Sequence, residues 1–144
     1  MPSRAESIMQ AVMHCLTSPA MTSVPADQVY RDITRAIDSA KTVAIAVEEG
    51  DETAPDKSLL GIAYRRLEVR VAALAKGQAA TTLADAPMLE SFNRIMADRS
   101  LGGLVIDIEE GETTRQREAL EKEVAVFTKT YFITYRTGEG SLEI

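Results

Sequence analysis

The chain has 144 residues, of which 45% are hydrophobic and 26% are charged, and its formal net charge at pH 7 is −6. This length fits one domain, 1–144, around one core, and the composition excludes a mainly disordered or low-complexity chain. The negative charge repels a phosphate backbone, and the arginines are scattered among carboxylates, so we expect no nucleic-acid partner.

The N-terminal segment and the single cysteine bear on the compartment. Glu6, Gln10 and His14 interrupt the apolar run after Arg4, which predicts neither a signal peptide nor a membrane span. Cys15 cannot form an internal disulfide, which fits a reducing compartment. We therefore expect a cytoplasmic protein without a membrane partner.

Helical periodicity marks the first element. Ser3 and Glu6 have the spacing of a capping box, which predicts a helix from about Arg4 that ends before Pro19. Apolar residues at three- and four-residue steps form one stripe on it: Ile8, Met9, Val12, Met13 and Leu16.

The segment before Thr42 is ambiguous. Val29, Ile33 and Ile37 repeat at helical spacing, but the flanks are typical of loops, so the state of residues 26–39 stays open at this point. Residues 43–47 alternate valine or isoleucine with alanine, which predicts a short buried strand. An acidic loop is expected over 48–58.

A longer strand is predicted from Ile62 to Ala75. Its apolar residues change from even to odd positions, which a regular strand cannot do without changing face, so we expect a β-bulge or a bend near Arg65 and Arg66. A strand of this length exceeds what a small core can cover. Its end should expose backbone that another chain can pair with.

The next elements are a helix and a strand. Asp85 and Pro87 predict a helix start, and Gly102 and Gly103 predict the stop beyond its end. The alternation in 104–108 predicts a short strand, followed over 109–122 by a charged turn in which Thr113 and Gln116 weakly indicate a short helix.

The last predicted strand covers 124–136 and is long enough to pair with the Ile62–Ala75 strand. With the earlier elements, it indicates the α+β class: a mixed, mainly antiparallel sheet with two helices packed on one face.

No group of residues indicates catalysis or metal binding. His14 and Cys15 are helix neighbours that point about 100° apart, so they cannot act as base and nucleophile on each other. The acidic residues in 48–56 lack the spacing of a calcium loop, and Gly102–Gly103 lacks the lysine of a phosphate loop. We therefore expect no catalytic residue, no metal and no cofactor, and a protein-binding surface in place of an active site.

Three segments carry a resemblance to a known family. The stretch from Asp98 to Ile108, DRSLGGLVIDI, resembles a segment in the tail terminators of long-tailed bacteriophages, also called minor tail protein U. Residues 131–137, YFITYRT, resemble that family's final strand, and 43–51 is similar to its strand and acidic turn. The three segments occur in the family's order, and the likeness spans most of the chain.

The resemblance implies a structural protein, encoded in a prophage or a live phage, whose α+β subunits form a homohexameric ring. Such a ring caps the tail tube, ends its polymerisation and joins the tail to the head, so its partners are the tail tube protein and a head-completion protein. It resides in the host cytoplasm during assembly and in the virion tail of an active phage. The resemblance also implies a strand at 29–31, and we favour that over the helical interpretation.

The family offers no catalytic residues to transfer, and its ring contacts are not confined to one motif. We take the acidic turn and the long strand as first candidates for the protein interface: Glu49, Asp51, Glu52, Arg65, Arg66 and Arg70. Two other classes stay open. One is a small enzyme, which would need a pocket of convergent polar groups; the other is an oligomeric cytoplasmic binding or sensor domain that uses an exposed sheet edge.

Overall fold

The computed structural model describes residues 2–39, 42–53, 56–57, 61–119, 123–138 and 140–142. Its helices and strands follow in chain order: α1 Arg4–Thr17, a 3₁₀ helix Ala26–Gln28, β1 Val29–Tyr30, α2 Ile33–Ser39, β2 Val43–Glu52, β3 Asp56–Lys57, β4 Ile62–Lys76, α3 Ala80–Ala97, β5 Asp107–Ala119 and β6 Glu123–Gly138. This is the α+β fold expected from the sequence.

One sheet contains all the described strands. Its order is β1-β2-β4-β6-β5, with β3 also pairing with β4. Only β1 runs parallel to its neighbour, and the other pairings are antiparallel. The mixed, mainly antiparallel sheet and the pairing of the two long strands are thus confirmed.

The two long helices pack on one face of the sheet, as predicted. That face carries the odd-numbered residues of β4 and β6, and its buried core includes Leu67, Val69, Phe127, Tyr131 and Ile133. The short helix α2 lies on the opposite face, where a small cluster is buried at one end of the sheet: Ala36, Ala44, Ala46, Ala72 and Leu74. The sequence did not separate α2 from β1, because Val29, Ile33 and Ile37 repeat at helical spacing across both elements.

The start of α1 uses half of the predicted capping box. The backbone N–H of Glu6 donates to Ser3 Oγ at 3.1 Å, which satisfies one free donor of the first turn. The Glu6 carboxylate turns elsewhere and lies 3.1 Å from Arg31 Nη1. Arg31 therefore ties the end of β1 to α1.

The predicted bulge near Arg65 and Arg66 in the long strand is wrong. All 15 residues of β4 pair with β6 in unbroken register. Ala63 is buried and Arg65 lies on the same face, so the odd positions already face the helices at the strand's start. Tyr64, whose even position suggested a change of face, is simply an exposed aromatic on the other side.

The bulges lie in the neighbouring strands instead. The pairing of β2 with β4 shifts by one residue between Glu49 and Glu52, and that of β5 with β6 shifts between Glu110 and Thr113. One extra residue reverses which face the following side chains occupy. Even-numbered Glu52 therefore shares a face with the odd residues of β4.

Two predicted loops are strands over the described residues. Residues 48–52 continue β2, and 109–119 form β5, so the charged turn and the short helix at 113–116 are wrong. An edge strand with a solvated face carries charged residues without an apolar alternation, which removes the pattern that identifies strands. Residues 54, 55, 58 and 120–122 lie outside the described part.

Helix α3 begins five residues before the predicted Asp85 start. Ala79 precedes it in the left-handed region at φ 60°, and the small residues Ala80 and Ala84 are fully buried. Pro87 lies inside the helix, and the helix ends at Ala97. No described helix is long and apolar enough to cross a membrane.

The turn between α3 and β5 is built around Asp98. Its carboxylate accepts hydrogen bonds from the Ser100 hydroxyl at 2.6 Å and from the Gly102 backbone N–H at 2.8 Å. Gly102 and Gly103 have positive φ angles of 71° and 90°, which favour glycine. The predicted helix stop at these glycines is wrong, because α3 ends at Ala97 with Asp98 as its C-cap and the glycines lie in the turn that follows. The strand begins at Asp107 and not at Leu104.

Candidate interaction surface

No described helix covers the sheet face opposite α1 and α3 beyond the area of α2. We call this area the open face, and charged, threonine and aromatic side chains line it. Its central members are Arg66, Glu68 and Arg70 from β4, Glu109 and Thr114 from β5, and Thr128, Phe132 and Thr134 from β6. An uncovered sheet face of this kind is a surface that another chain can contact.

Arg66 organises the centre of the open face. Its guanidinium lies 4.2 Å from the centroid of the Phe132 ring and 3.6 Å from the Glu109 carboxylate. Both charged side chains are about half exposed, so solvent weakens the ion pair and either charge can pair with a partner. Arg70 lies 3.7 Å from Glu68 in a similar exposed pair.

The β2 bulge adds exposed carboxylates at the sheet margin. Glu49 lies 3.3 Å from Arg31, and Asp51 is exposed. The Asp51 backbone N–H donates to Glu68 Oε2 at 3.4 Å, so a β4 side chain satisfies a donor that the bulge frees. A Cβ at Gly50 would approach that same Glu68 carboxylate at 2.5 Å, which accounts for glycine there.

Arg65 and Glu52 occupy a different place from the other candidates. They lie 3.8 Å apart on the helix-covered face, with side chains 11% and 27% exposed. Arg65 Nε donates to Thr137 Oγ1 at 3.0 Å, and the Tyr135 hydroxyl donates to Glu52. Burial, and then the hydrogen bond to Glu52, raise the pKa of Tyr135. This cluster holds β2 to β4 and β6.

Three of the six candidates thus lie on or beside the open face: Asp51, Arg66 and Arg70. Glu49 pairs with Val69 and therefore lies at the margin of the helix-covered face. The candidates do not include Glu68, Glu109 and Phe132, which contact Arg70 or Arg66. Arg66, Glu68 and Arg70 lie two residues apart along a strand, and this spacing indicates that they share one face. No spacing indicated the face of Glu109, because its segment was interpreted as a turn.

Strand β5 forms one edge of the sheet over thirteen residues. It pairs with β6 on one side and with no other described strand on the opposite side. At its bulge, Lys129 of β6 donates to the Gly111 carbonyl at 3.1 Å and lies 3.0 Å from Glu110. The edge is therefore fixed in shape, and its outer backbone groups are open to pairing with another chain.

The residues around His14 and Cys15 form a cleft of about 340 Å³ with Arg94 and Asp98. Burial raises the pKa of the Cys15 thiol, which donates to the Arg94 carbonyl at 3.3 Å. The protonated thiol is a weak nucleophile at neutral pH. Arg94 and Asp98 are far from Cys15 in sequence, and no pattern indicated that they would meet.

The described residues contain no group of three or more His, Cys, Asp or Glu side chains that could hold a metal ion. Comparisons of the chain with protein-family models and with curated proteins found no match.

Proposed function

We propose that this protein is a structural subunit of the phage tail terminator type, which forms a ring, caps the tail tube, ends tail polymerisation and joins the tail to the head. The observation that carries the proposal is the β5 edge, thirteen residues long and without a described partner on its outer side. The likeness of three segments to tail terminators indicates which assembly the edge would serve.

The order of the elements supports that likeness. The resemblance implies a strand at 29–31, and β1 covers Val29–Tyr30. The DRSLGGLVIDI segment spans the turn from α3 into β5, and the YFITYRT segment lies in β6. Residues 43–51 lie in β2, so all three segments contribute to the sheet or to its connection with α3.

The charges on the two sheet margins support contact between unlike edges. The β2 margin carries Glu49 and Asp51, whereas the second half of β5 carries Arg115 and Arg117. An acidic margin on one copy would attract the basic half of β5 on the next. Repeated contact between unlike surfaces generates a closed ring or an open filament.

Variants with reversed charges test the contact between the β2 margin and β5. We expect Asp51→Arg to weaken ring formation, and Arg117→Glu to do the same, because each places like charges across the contact. Combining them should restore assembly, since the pair is then reversed. Asn93→Lys, on the exposed side of α3, is the matched control and should leave assembly unchanged.

Light scattering coupled to size-exclusion chromatography, with negative-stain images, measures the oligomer. A six-fold ring supports the proposal. A stable dimer that pairs β5 with β5 supports the second candidate, a cytoplasmic binding or sensor domain, because the same edge allows symmetric pairing.

Deletion of the gene from its prophage tests the function directly. We expect overlong tails without heads in electron micrographs of induced lysates, and restoration by the gene supplied in trans. Normal-length tails that carry heads in the deletion strain would contradict the proposal whatever the oligomeric state of the isolated protein.

A further inference from the structure

Strand β5 carries charges of opposite sign in its two halves. Its first six residues, DIEEGE, contain four acidic side chains and no basic one. Its last six, TRQREA, contain Arg115 and Arg117 with one acid, Glu118, and Thr113 lies between the halves. A strand with this pattern is complementary to an antiparallel copy of itself, because each half then faces the half of opposite sign.

The pairing with β6 determines which β5 side chains share a face. Glu110, Thr113, Arg115 and Arg117 lie opposite odd-numbered residues of β6 and are therefore on the helix-covered side of the sheet. The Glu110 and Arg117 side chains are 52% and 64% exposed, so a second chain beside β5 can reach them. The opposite charges of the two halves thus lie on one accessible side of the edge.

A two-fold axis at Thr113 gives the best match of charges between two β5 strands. Counted along the β6 register, it places Glu110 of each copy opposite Arg115 of the other, and Glu109 opposite Gln116. Like charges meet only at the ends, where Asp107 lies opposite Glu118. Asp107 already pairs with Arg99 at 2.9 Å, which weakens that repulsion.

The neighbouring registers match less well. Moving the axis to Thr114 brings Glu109 opposite Glu118 of the other copy in both halves of the contact. Moving it the other way, into the irregularity between Glu110 and Thr113, places the two bulges opposite each other and separates Glu110 from Arg115. The charges of β5 therefore select the axis at Thr113.

Contact through this edge alone is weak. The bulge interrupts the row of backbone groups, and exposed ion pairs contribute little to the free energy of association. Two edge strands also bury less than the roughly 1,200 Å² below which protein contacts are transient. Such a dimer forms and dissociates readily.

We propose that the β5 edges of two copies pair antiparallel about the axis at Thr113 before assembly, and that this weak dimer withholds the edge from the ring. The register follows from the charges of β5 alone, whereas the withholding of the edge rests on the proposed function. In the ring, the β2 margin of another copy contacts the same edge. One edge cannot hold two chains at once, so the dimer and the ring contact exclude each other.

Sedimentation velocity at micromolar to millimolar protein concentration tests the dimer. Glu110→Arg and Arg115→Glu should each raise its dissociation constant by about tenfold or more, because each places like charges in both symmetry-related pairs. An equal mixture of the two variants should restore the wild-type constant, since every heterodimer again contains two Glu–Arg pairs. Arg35→Glu, at an exposed position on α2, is the control and should leave the constant unchanged.

Three results would overturn the dimer. They are a wild-type monomer over the whole concentration range, no rescue on mixing variants that keep the wild-type melting temperature, and a dimer that persists at nanomolar concentration, which could not release the edge.

Cysteine substitutions test the register. In a Cys15→Ala background, Thr113→Cys places one thiol of each copy at the axis, so oxidation should give a disulfide-linked dimer. Thr114→Cys reports the alternative axis and should form the disulfide much more slowly. Faster formation at Thr114 would overturn the register.

The dimer and the ring can fail separately. A monomeric protein whose deletion gives overlong tails without heads would overturn the dimer and leave the proposed function in place. A dimer in the expected register, together with normal-length tails that carry heads in the deletion strain, would overturn the withholding of the edge along with the proposed function, and β5 would then be the contact of the second candidate.

Discussion

Tyr131 is a large core side chain whose hydroxyl has no hydrogen-bond partner among the described residues. Its ring stacks on Phe92 with centroids 6.4 Å apart, and burial raises the pKa of the hydroxyl. The aromatic ring therefore stabilises the core, while the hydroxyl opposes folding because it loses hydration without replacement.

We expect Tyr131→Phe to raise the free energy of unfolding by about 1 kcal/mol in urea denaturation. Tyr135→Phe is the matched control, since its hydroxyl donates to Glu52 and its loss should lower that free energy by about 1 kcal/mol. If both variants lost the same free energy of unfolding, the Tyr131 hydroxyl would have a hydrogen-bond partner.

Gly111 is the residue that lets β5 bulge against β6. A Cβ there would lie 2.8 Å from Phe132 Cε2 and 3.1 Å from the Thr130 Cβ atom. At Gly50 the nearest atoms belong to the movable Glu68 carboxylate, with Glu68 Cβ at 3.0 Å. The Phe132 ring near Gly111 lies under Arg66 and can move away less easily than a carboxylate at the end of a flexible side chain.

Gly111→Ala should therefore lower the free energy of unfolding by about 1–3 kcal/mol, and Gly50→Ala by less. Thermal denaturation of the two variants measures the difference. A larger loss at Gly50 would contradict this order.

At the scale of elements, the connection from α1 to β1 is held against α3 by one turn of that helix. Glu90 accepts from the backbone N–H and the hydroxyl of both Thr22 and Ser23, and Arg94 donates to the Pro19 and Ala20 carbonyls. Burial alone would raise the pKa of Glu90. The hydrogen bonds from Thr22 and Ser23 outweigh burial and lower that pKa to about 2.

Because this pKa is lower in the folded state than in the unfolded state, the charged carboxylate stabilises the fold above about pH 5. That contribution is lost as the pH falls towards 2. We expect Glu90→Gln to be less stable than the wild type by about 2–3 kcal/mol at pH 7, with the difference vanishing near pH 2. Urea titrations across this range test it, with Glu112→Gln, at an exposed β5 position, as the control. A difference that is independent of pH would contradict the role of the charge.

Some elements could be predicted from the sequence because one local signal marked them. Ser3 and the apolar stripe placed α1, and alternation placed β6 within two residues at each end. Strand β5 could not be predicted, because it depends on long-range pairing with β6 and on its place at the sheet edge, which no local sequence pattern indicates. The start of α3 at Ala80 was missed since small buried alanines carry little hydrophobic signal.

At the candidate surface, the sequence identified charged residues but not their faces. Arg66 and Arg70 could be placed together by their spacing. Glu52 could not be assigned to the Arg65–Tyr135 cluster, because its face depends on a bulge two residues earlier. Contacts such as Arg66 with Phe132 join distant segments and follow only from strand order.

At the scale of the whole molecule, β4 and β6 lie in the middle of the sheet and β5 at its edge. Amides of central strands exchange with solvent only when much of the fold opens, whereas outward amides of an edge exchange in the folded state. Hydrogen–deuterium exchange should therefore show slow amides throughout β4 and β6 and fast alternate amides in β5.

Assembly gives that experiment a second readout. If copies pair through β5, its fast amides should slow as the protein concentration rises, while the exchange rates of the α3 amides should not change. Concentration-independent exchange in β5, measured where light scattering detects an oligomer, would exclude this edge from the contact.

The two bulges lie at nearly the same level of the sheet, one on each side of the Val69–Tyr131 pair. Because each contains one residue more than regular pairing needs, each is a place where the chain can change its length without disturbing β4 or β6. Loss of one residue at Gly111 would restore regular pairing and leave Arg115 opposite Phe127, because the residues beyond the bulge would keep their β6 partners. Either margin can therefore lose the extra residue of its bulge while the charged side chains beyond it keep their faces, with no substitution in the core.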